Sequence, residues 1–173
     1  KVQLLIGAGI RTFVNLMEEN ETNWAGEPFV PYQDLAVKLC PEATCVRYPI
    51  QDLSTPTVAQ MASILDVIDG SVRVGKSAYV HCWGGVGRTG MVVGCWLLRH
   101  RLAEPSNVLA TLTRLREQDQ ERGTRMSPET DKQQKFVRHW RETNNSRLFD
   151  ADSTSDYYST SGRNISAGDS RGI

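Results

Sequence analysis

Hydrophobic positions along this chain follow two rhythms, one of short apolar runs and one of helical spacing. Residues 11–16 (Arg-Thr-Phe-Val-Asn-Leu), 45–50 (Cys-Val-Arg-Tyr-Pro-Ile) and 77–81 (Ser-Ala-Tyr-Val-His) are rich in β-branched and aromatic side chains and predict strands. Pro49 marks where the second of them ends or bulges. Val58, Met61, Ile64, Leu65 and Ile68 predict a helix over 57–68 with one buried face, capped by Thr57, Ser54 or Thr55. Gly70 and Gly75 then bracket a turn. Residues 89–101 are apolar on nearly every side (Met91, Val92, Val93, Cys95, Trp96, Leu97, Leu98), which predicts a buried central helix. Gly90 and Gly94 share one of its faces and would let another element come close. Residues 1–8 read as the end of a helix stopped around Gly7 and Gly9, and further helices are expected over 35–39 and as amphipathic segments over 106–118 and 128–143. Phe136, Val137 and Trp140 supply the buried stripe of the last. The polar stretch 18–31, with Gly26, Pro28 and Pro31, reads as a loop. Strands alternating with helices imply an α/β architecture in which helices pack on a sheet.

Composition narrows this picture without changing it. The chain has 173 residues, enough for one domain with its own core. Twenty basic and twenty acidic side chains cancel, so no bulk field argues for nucleic acid or an anionic membrane as partner. No apolar run approaches the roughly 18–20 residues of a membrane span. Cys40, Cys45, Cys82 and Cys95 are too few for a disulfide scaffold. No second tight pair joins Cys40 and Cys45, so a structural zinc site is not expected. From residue 144 the composition turns to Ser, Thr, Asp, Gly and Arg, which divides the chain into a domain at 1–143 and a polar, flexible tail or linker at 144–173. The chain opens at Lys1 inside an apolar pattern, so a trimmed N-terminus is expected.

Candidate chemistry concentrates in residues 78–90, Ala-Tyr-Val-His-Cys-Trp-Gly-Gly-Val-Gly-Arg-Thr-Gly. Gly85, Gly87 and Gly90 match the G-x-G-x-x-G of dinucleotide-binding domains, which requires a second strand ending in an acidic residue about 20 positions on. Residues 99–118 are charged, broken at Pro105 and then helical, so that context is missing. A phosphate-binding loop of the nucleotide hydrolases would put glycine where Cys82 stands and lysine where Arg88 stands. The third reading takes both departures as the point. A thiol ends a strand and faces the N-terminus of the next helix, where partial positive charge favours the thiolate. Amides of Trp83, Gly84, Gly85, Val86 and Gly87 can turn inward around an oxyanion, helped by the three glycines. Arg88 can hold two phosphate oxygens in a bidentate grip, and Thr89 can donate its hydroxyl to the sulfur. Cys82 is then the candidate nucleophile.

His81-Cys82, five residues, then Arg88-Thr89-Gly90 resembles the signature of the cysteine-based protein tyrosine phosphatases, and in a chain of this size their small dual-specificity branch. The resemblance implies a central, mostly parallel twisted sheet of about four or five strands flanked by helices. It implies a phosphomonoester hydrolase that forms a phosphocysteine and needs neither metal nor cofactor. The substrate would be a phosphorylated protein or peptide, met in the cytoplasm or another reducing compartment. It also implies a general acid on a separate loop. Asp52, thirty positions upstream of Cys82 in Gln-Asp-Leu-Ser-Thr-Pro, fits that place, with Asp34 the weaker substitute. Gln133 is similar in position to the glutamine that orients the hydrolytic water in some relatives, and His81 is expected to support the loop by hydrogen bonding. Within the same chemistry the substrate could instead be a phosphoinositide or an RNA 5′-phosphate end. A binding module without turnover is the alternative outside it.

Overall fold

The structure is a computed structural model and describes residues 1–120 and 122–142. Its elements run α1 (Val2–Gly7), β1 (Ile10–Asn15), α2 (Gln33–Leu39), β2 (Thr44–Arg47), α3 (Val58–Arg73), β3 (Ser77–His81), α4 (Gly87–Arg99), α5 (Val108–Arg116) and α6 (Asp131–His139). The tail expected from residue 144 lies outside the described residues.

The sheet has the order β2-β1-β3 and is parallel throughout. It has three strands among the described residues, fewer than the four or five that the family resemblance implies. The polar stretch that could have added an edge strand contributes one isolated antiparallel bridge, Thr22 to Pro28. Prolines at 28 and 31 withhold the N–H groups a ladder needs. The second strand is also shorter than its apolar run. Regular pairing stops at Arg47, although Tyr48 and Ile50 still donate to Asn15 O and Leu16 O on either side of Pro49.

Central strand β1 sends consecutive residues to opposite faces, as the pleat requires. Phe13 packs with Ala36 and Ala43 under α1 and α2, while Val14 joins the larger core beneath α3 to α6. That core contains Met61, Ile64 and Leu65 from α3 and Met91, Val92 and Cys95 from α4, each fully buried. Cys95 is thus plain core, and burial pushes its thiol far up from its ordinary range. Cys40 and Cys45 pack on the opposite cluster from Cys82.

Thr57 caps α3 by accepting from Gln60 N at 3.1 Å. The helix does not stop before Gly70, as the sequence predicts, but runs on to Arg73. Ser71 explains the extension: its hydroxyl lies 2.7 Å from Thr12 Oγ1 on β1 and bonds to Lys76 O at 2.9 Å. This contact with the sheet outweighs the roughly 1 kcal/mol that a mid-helix glycine costs. On α4 the two small residues do admit neighbours. A Cβ at Gly94 would stand 2.7 Å from Val137 Cγ1, and one at Gly90 would stand 2.2 Å from Ser127 Oγ. Arg99 ties α4 to α3 through Asp66 and Asp69 and reaches Glu142 at 2.5 Å. Burial alone would raise the Asp69 carboxyl, but hydrogen bonds from Arg99, His100 and Trp96 hold it below the usual carboxylate range.

Candidate active site

Parallel sheets place ligands beyond the carboxyl ends of their strands, and the chain meets that rule here. Cys82 follows β3 directly, and the loop 82–86 turns into the first helical residue, Gly87. The helix begins two residues before the 89–101 predicted from the sequence, because Gly87 and Arg88 already have helical backbone. Of the three loop glycines, Gly85 has a positive φ of +67°. Gly87 serves a different need: a Cβ there would come within 2.9 Å of Gln133 Oε1.

Three donors hold the back of the loop. Arg122 bonds to Gly84 O at 3.1 Å, Arg116 to Gly85 O at 2.7 Å, and Ser127 Oγ to Val86 O at 2.8 Å. A trans peptide points its N–H opposite to its C=O. The amides of Gly85, Val86 and Gly87 therefore face away from these donors, toward the concavity that Gly84, Val86 and Gly87 help to line. This is an anion nest at a helix N-terminus.

The concavity has a volume of about 330 Å³ and holds Cys82, Trp83 and Arg88 along with Asp52 and Glu21. Cys82 is 5% exposed, and Thr89 Oγ1 donates toward its sulfur at 3.3 Å. Arg88 is 1% exposed and donates to Ile50 O at 3.1 Å. Its two terminal nitrogens each meet a Glu21 carboxylate oxygen at 2.6 Å, and Asp52 Oδ1 lies 3.0 Å from Nη2. Burial would lower the Arg88 pKa, but Glu21, Cys82 and Asp52 raise it overall, so the guanidinium stays charged. Its buried Nε–H has no hydrogen-bond partner among the described residues. Asp52 itself is largely exposed, on the loop after β2 next to Leu53, whose φ is +58°. Asp34 sits in the first turn of α2 and does not line the pocket.

His81 lies behind the nucleophile. Its Nδ1 is 3.2 Å from Cys82 O, which can only accept, so Nδ1 carries the proton. Nε2 then accepts from the Tyr32 hydroxyl at 2.6 Å. The ring stacks against Phe29 and Tyr79, and burial lowers its pKa, so it is neutral near pH 7. Trp83 lines the pocket and packs edge-on against Phe29 with centroids 5.5 Å apart.

Gln133 is not brought to the pocket. It is fully buried behind the loop, with Oε1 accepting from the Glu129 and Thr130 amides at 3.1 and 3.2 Å. Its Nε2 donates to Ser54 O at 3.1 Å, so it ties the start of α6 to the loop that carries Asp52. Sequence reasoning missed Glu21 and the supporting arginines. An acidic run, Glu18-Glu19-Asn20-Glu21, just past the carboxyl end of β1 was the available signal for Glu21. Nothing local marks Arg116 or Arg122.

The arrangement can bind a phosphate dianion in the nest, present a sulfur to its phosphorus, and offer a carboxyl at the mouth. Among the described residues no His, Cys, Asp and Glu cluster is arranged to hold a metal ion. No described helix is long and apolar enough to cross a membrane.

Comparison with known proteins places this geometry. Protein 067L of Invertebrate iridescent virus 3, whose name assigns it provisionally to the tyrosine phosphatases, is 34% identical over 102 residues, 56% of this chain and 38% of that protein. The chain thus spans well under half the length of that relative. The crystal structure of Tk-PTP in its active form superposes with a TM-score of 0.61 at 26% identity, covering 79% of this chain and 80% of that one. Kinase associated phosphatase, in a form with its catalytic-site cysteine replaced by serine, gives a TM-score of 0.64 at 22% identity over 79% and 71% of the two chains. Residues 1–144 match the family described as PTP-SAK, the Swiss Army Knife protein, DSP-PTPase phosphatase domain. With the cysteine, the arginine and the nest between them on one loop, the chain belongs to this family of dual-specificity-like phosphatase domains, within the cysteine-based tyrosine phosphatase superfamily.

Proposed function

We propose that this domain hydrolyses phosphomonoesters of phosphorylated proteins or peptides through a phosphocysteine formed on Cys82. The observation that carries this reading is the pocket itself. The buried Cys82, the loop residues Trp83, Gly84, Val86 and Gly87, and Arg88 line one concavity, and the largely exposed Asp52 lines it too, 3.0 Å from Arg88. Among the described residues the buried Arg88 Nε–H has no hydrogen-bond partner, and a phosphate oxygen would satisfy it.

In the first step the Cys82 thiolate attacks phosphorus and the bond from phosphorus to the ester oxygen breaks. Asp52, in the role of general acid, gives a proton to that oxygen as it leaves. Charge gathering on the equatorial oxygens meets the Gly85, Val86 and Gly87 amides, the helix N-terminus and Arg88. In the second step water attacks the phosphocysteine, its proton passes to the Asp52 carboxylate, and the sulfur leaves as thiolate. The Thr89 hydroxyl, already 3.3 Å from the sulfur, stabilises that thiolate by hydrogen bonding. Neutral His81 takes no part in proton transfer. It fixes the Cys82 carbonyl and so the start of the loop. Gln133 acts in this account as a brace between α6 and the Asp52 loop.

Three carboxylates, those of Glu21, Asp52 and Glu129, stand around the pocket against Arg88 and Arg125. That balance favours a monoester over a multiply phosphorylated headgroup. The test is a panel of phosphopeptides, soluble inositol phosphates and 5′-triphosphorylated RNA, with Cys82→Ser as control. Phosphopeptide turnover that vanishes in Cys82→Ser supports the reading. Turnover confined to inositol phosphates or RNA assigns the other substrate class, and phosphopeptide binding without turnover would make the domain a recognition module.

A further inference from the structure

Trp24 is the most exposed large apolar side chain described, at 98%, and it lines the rim of the pocket that holds Cys82. An indole left fully in water forgoes burial that a tryptophan usually obtains. This one is not carried on a loose strand. Asn23 N donates to Glu27 O and Gly26 N to Asn23 O, both at 2.9 Å, which closes a tight turn. The Asn23 side chain accepts from Ala25 N and Glu27 N at 2.9 Å and donates to the Glu27 carboxylate at 2.8 Å. Three residues earlier, Glu21 fastens the same loop to Arg88. The indole is therefore held out into solvent at the mouth of the phosphate site by contacts at both ends of its turn.

We infer that Trp24 is a specificity residue that packs on the aromatic ring of an aryl phosphate, the phosphotyrosine class. The inference rests on the functional reading above. A phosphomonoester whose phosphorus lies over the Cys82 sulfur must send its ester substituent out through the mouth, past Trp24 and Asp52. A phenyl ring crossing that mouth presents a flat apolar face to the indole and recovers burial for both. The methylene of a phosphoserine offers almost no such area. Trp83 does not substitute for it, because that ring is already packed on Phe29.

The test compares the unsubstituted chain, Trp24→Phe and Trp24→Ala on two peptides that differ in carrying phosphotyrosine or phosphoserine. In Trp24→Ala, kcat/KM for the phosphotyrosine peptide should fall about two- to tenfold, the range of an aromatic pair, with phosphoserine changed less than about twofold. Trp24→Phe should restore most of the loss. Binding of phosphotyrosine to Cys82→Ser, measured without turnover, should weaken by a similar factor when Trp24→Ala is added. Equal losses on both peptides, or none on either, would overturn the contact while leaving the hydrolase reading intact. If the unsubstituted chain turned over neither peptide, the hydrolase reading would fall first and this one with it.

Discussion

Gln133→Glu separates a structural brace from a water-positioning role. The substitution is isosteric and keeps an oxygen to accept from the Glu129 and Thr130 amides. It replaces the Nε2 donor, 3.1 Å from Ser54 O, with a second oxygen facing that carbonyl. When ionised, the new carboxyl leaves Ser54 O unsatisfied, which costs about 1–3 kcal/mol, and adds a charge at a site with no exposure, for a total of about 2–4 kcal/mol. When protonated, its O–H can donate to Ser54 O and the loss largely disappears. The native-state pKa of the new group is thus raised above the unfolded glutamate value of about 4.3. Between these two values the native state binds the extra proton, so the variant loses stability as pH rises. At about 1.4 kcal/mol per pH unit, a 2–4 kcal/mol loss should reach its plateau near pH 6–7. Urea denaturation of both proteins at several pH values gives the difference directly. A gap near zero around pH 4.3 that widens to its plateau supports the brace. A gap independent of pH would refute it. So would unchanged stability with selectively slowed phosphoenzyme hydrolysis, which would return Gln133 to the water-orienting role.

Gly90→Ala drives a methyl into Ser127 Oγ, 2.2 Å away, and displaces it from Val86 O; thermal unfolding should show a loss of about 1–3 kcal/mol together with reduced turnover. Asp52→Asn should slow turnover most for substrates with poor leaving groups, and a flat dependence on leaving-group pKa would remove Asp52 as the acid. His81 titrates below its unfolded-state value, about 6.5, because burial disfavours its charged form. Its contribution to stability is therefore complete above pH 6.5 and is lost as pH falls below it, and replacing His81 with glutamine should flatten that part of the stability–pH curve.

Much of the site was legible in the sequence because its chemistry is local. Cys82, the glycines, Arg88 and Thr89 occupy one strand–loop–helix segment, so their spacing alone indicates a nest with a thiol and a guanidinium. The three strands were legible for the same reason, since β-branched and aromatic runs declare themselves without tertiary context. What remained hidden depends on distant partners. Glu21 meets Arg88 across 67 residues and Gln133 meets Ser54 across 79, distances over which no short pattern reports. Arg116 and Arg122 look like ordinary solvated charges until the fold brings the loop carbonyls to them. Gly70 misleads because local propensity predicts a stop, while the Ser71–Thr12 contact that carries α3 onward is tertiary. The surplus of expected strands came from family likeness alone; the residues themselves marked three.

In the proposed mechanism Cys82 carries the phosphoryl group between the two steps. Rapid acid quench during turnover of an aryl phosphate, followed by peptide mass spectrometry, would locate that group. One phosphoryl group is expected on the peptide containing Cys82, absent in Cys82→Ser and longer-lived in Thr89→Ala. Undiminished hydrolysis by Cys82→Ser, or a phosphoryl group mapped to any other residue, would contradict it.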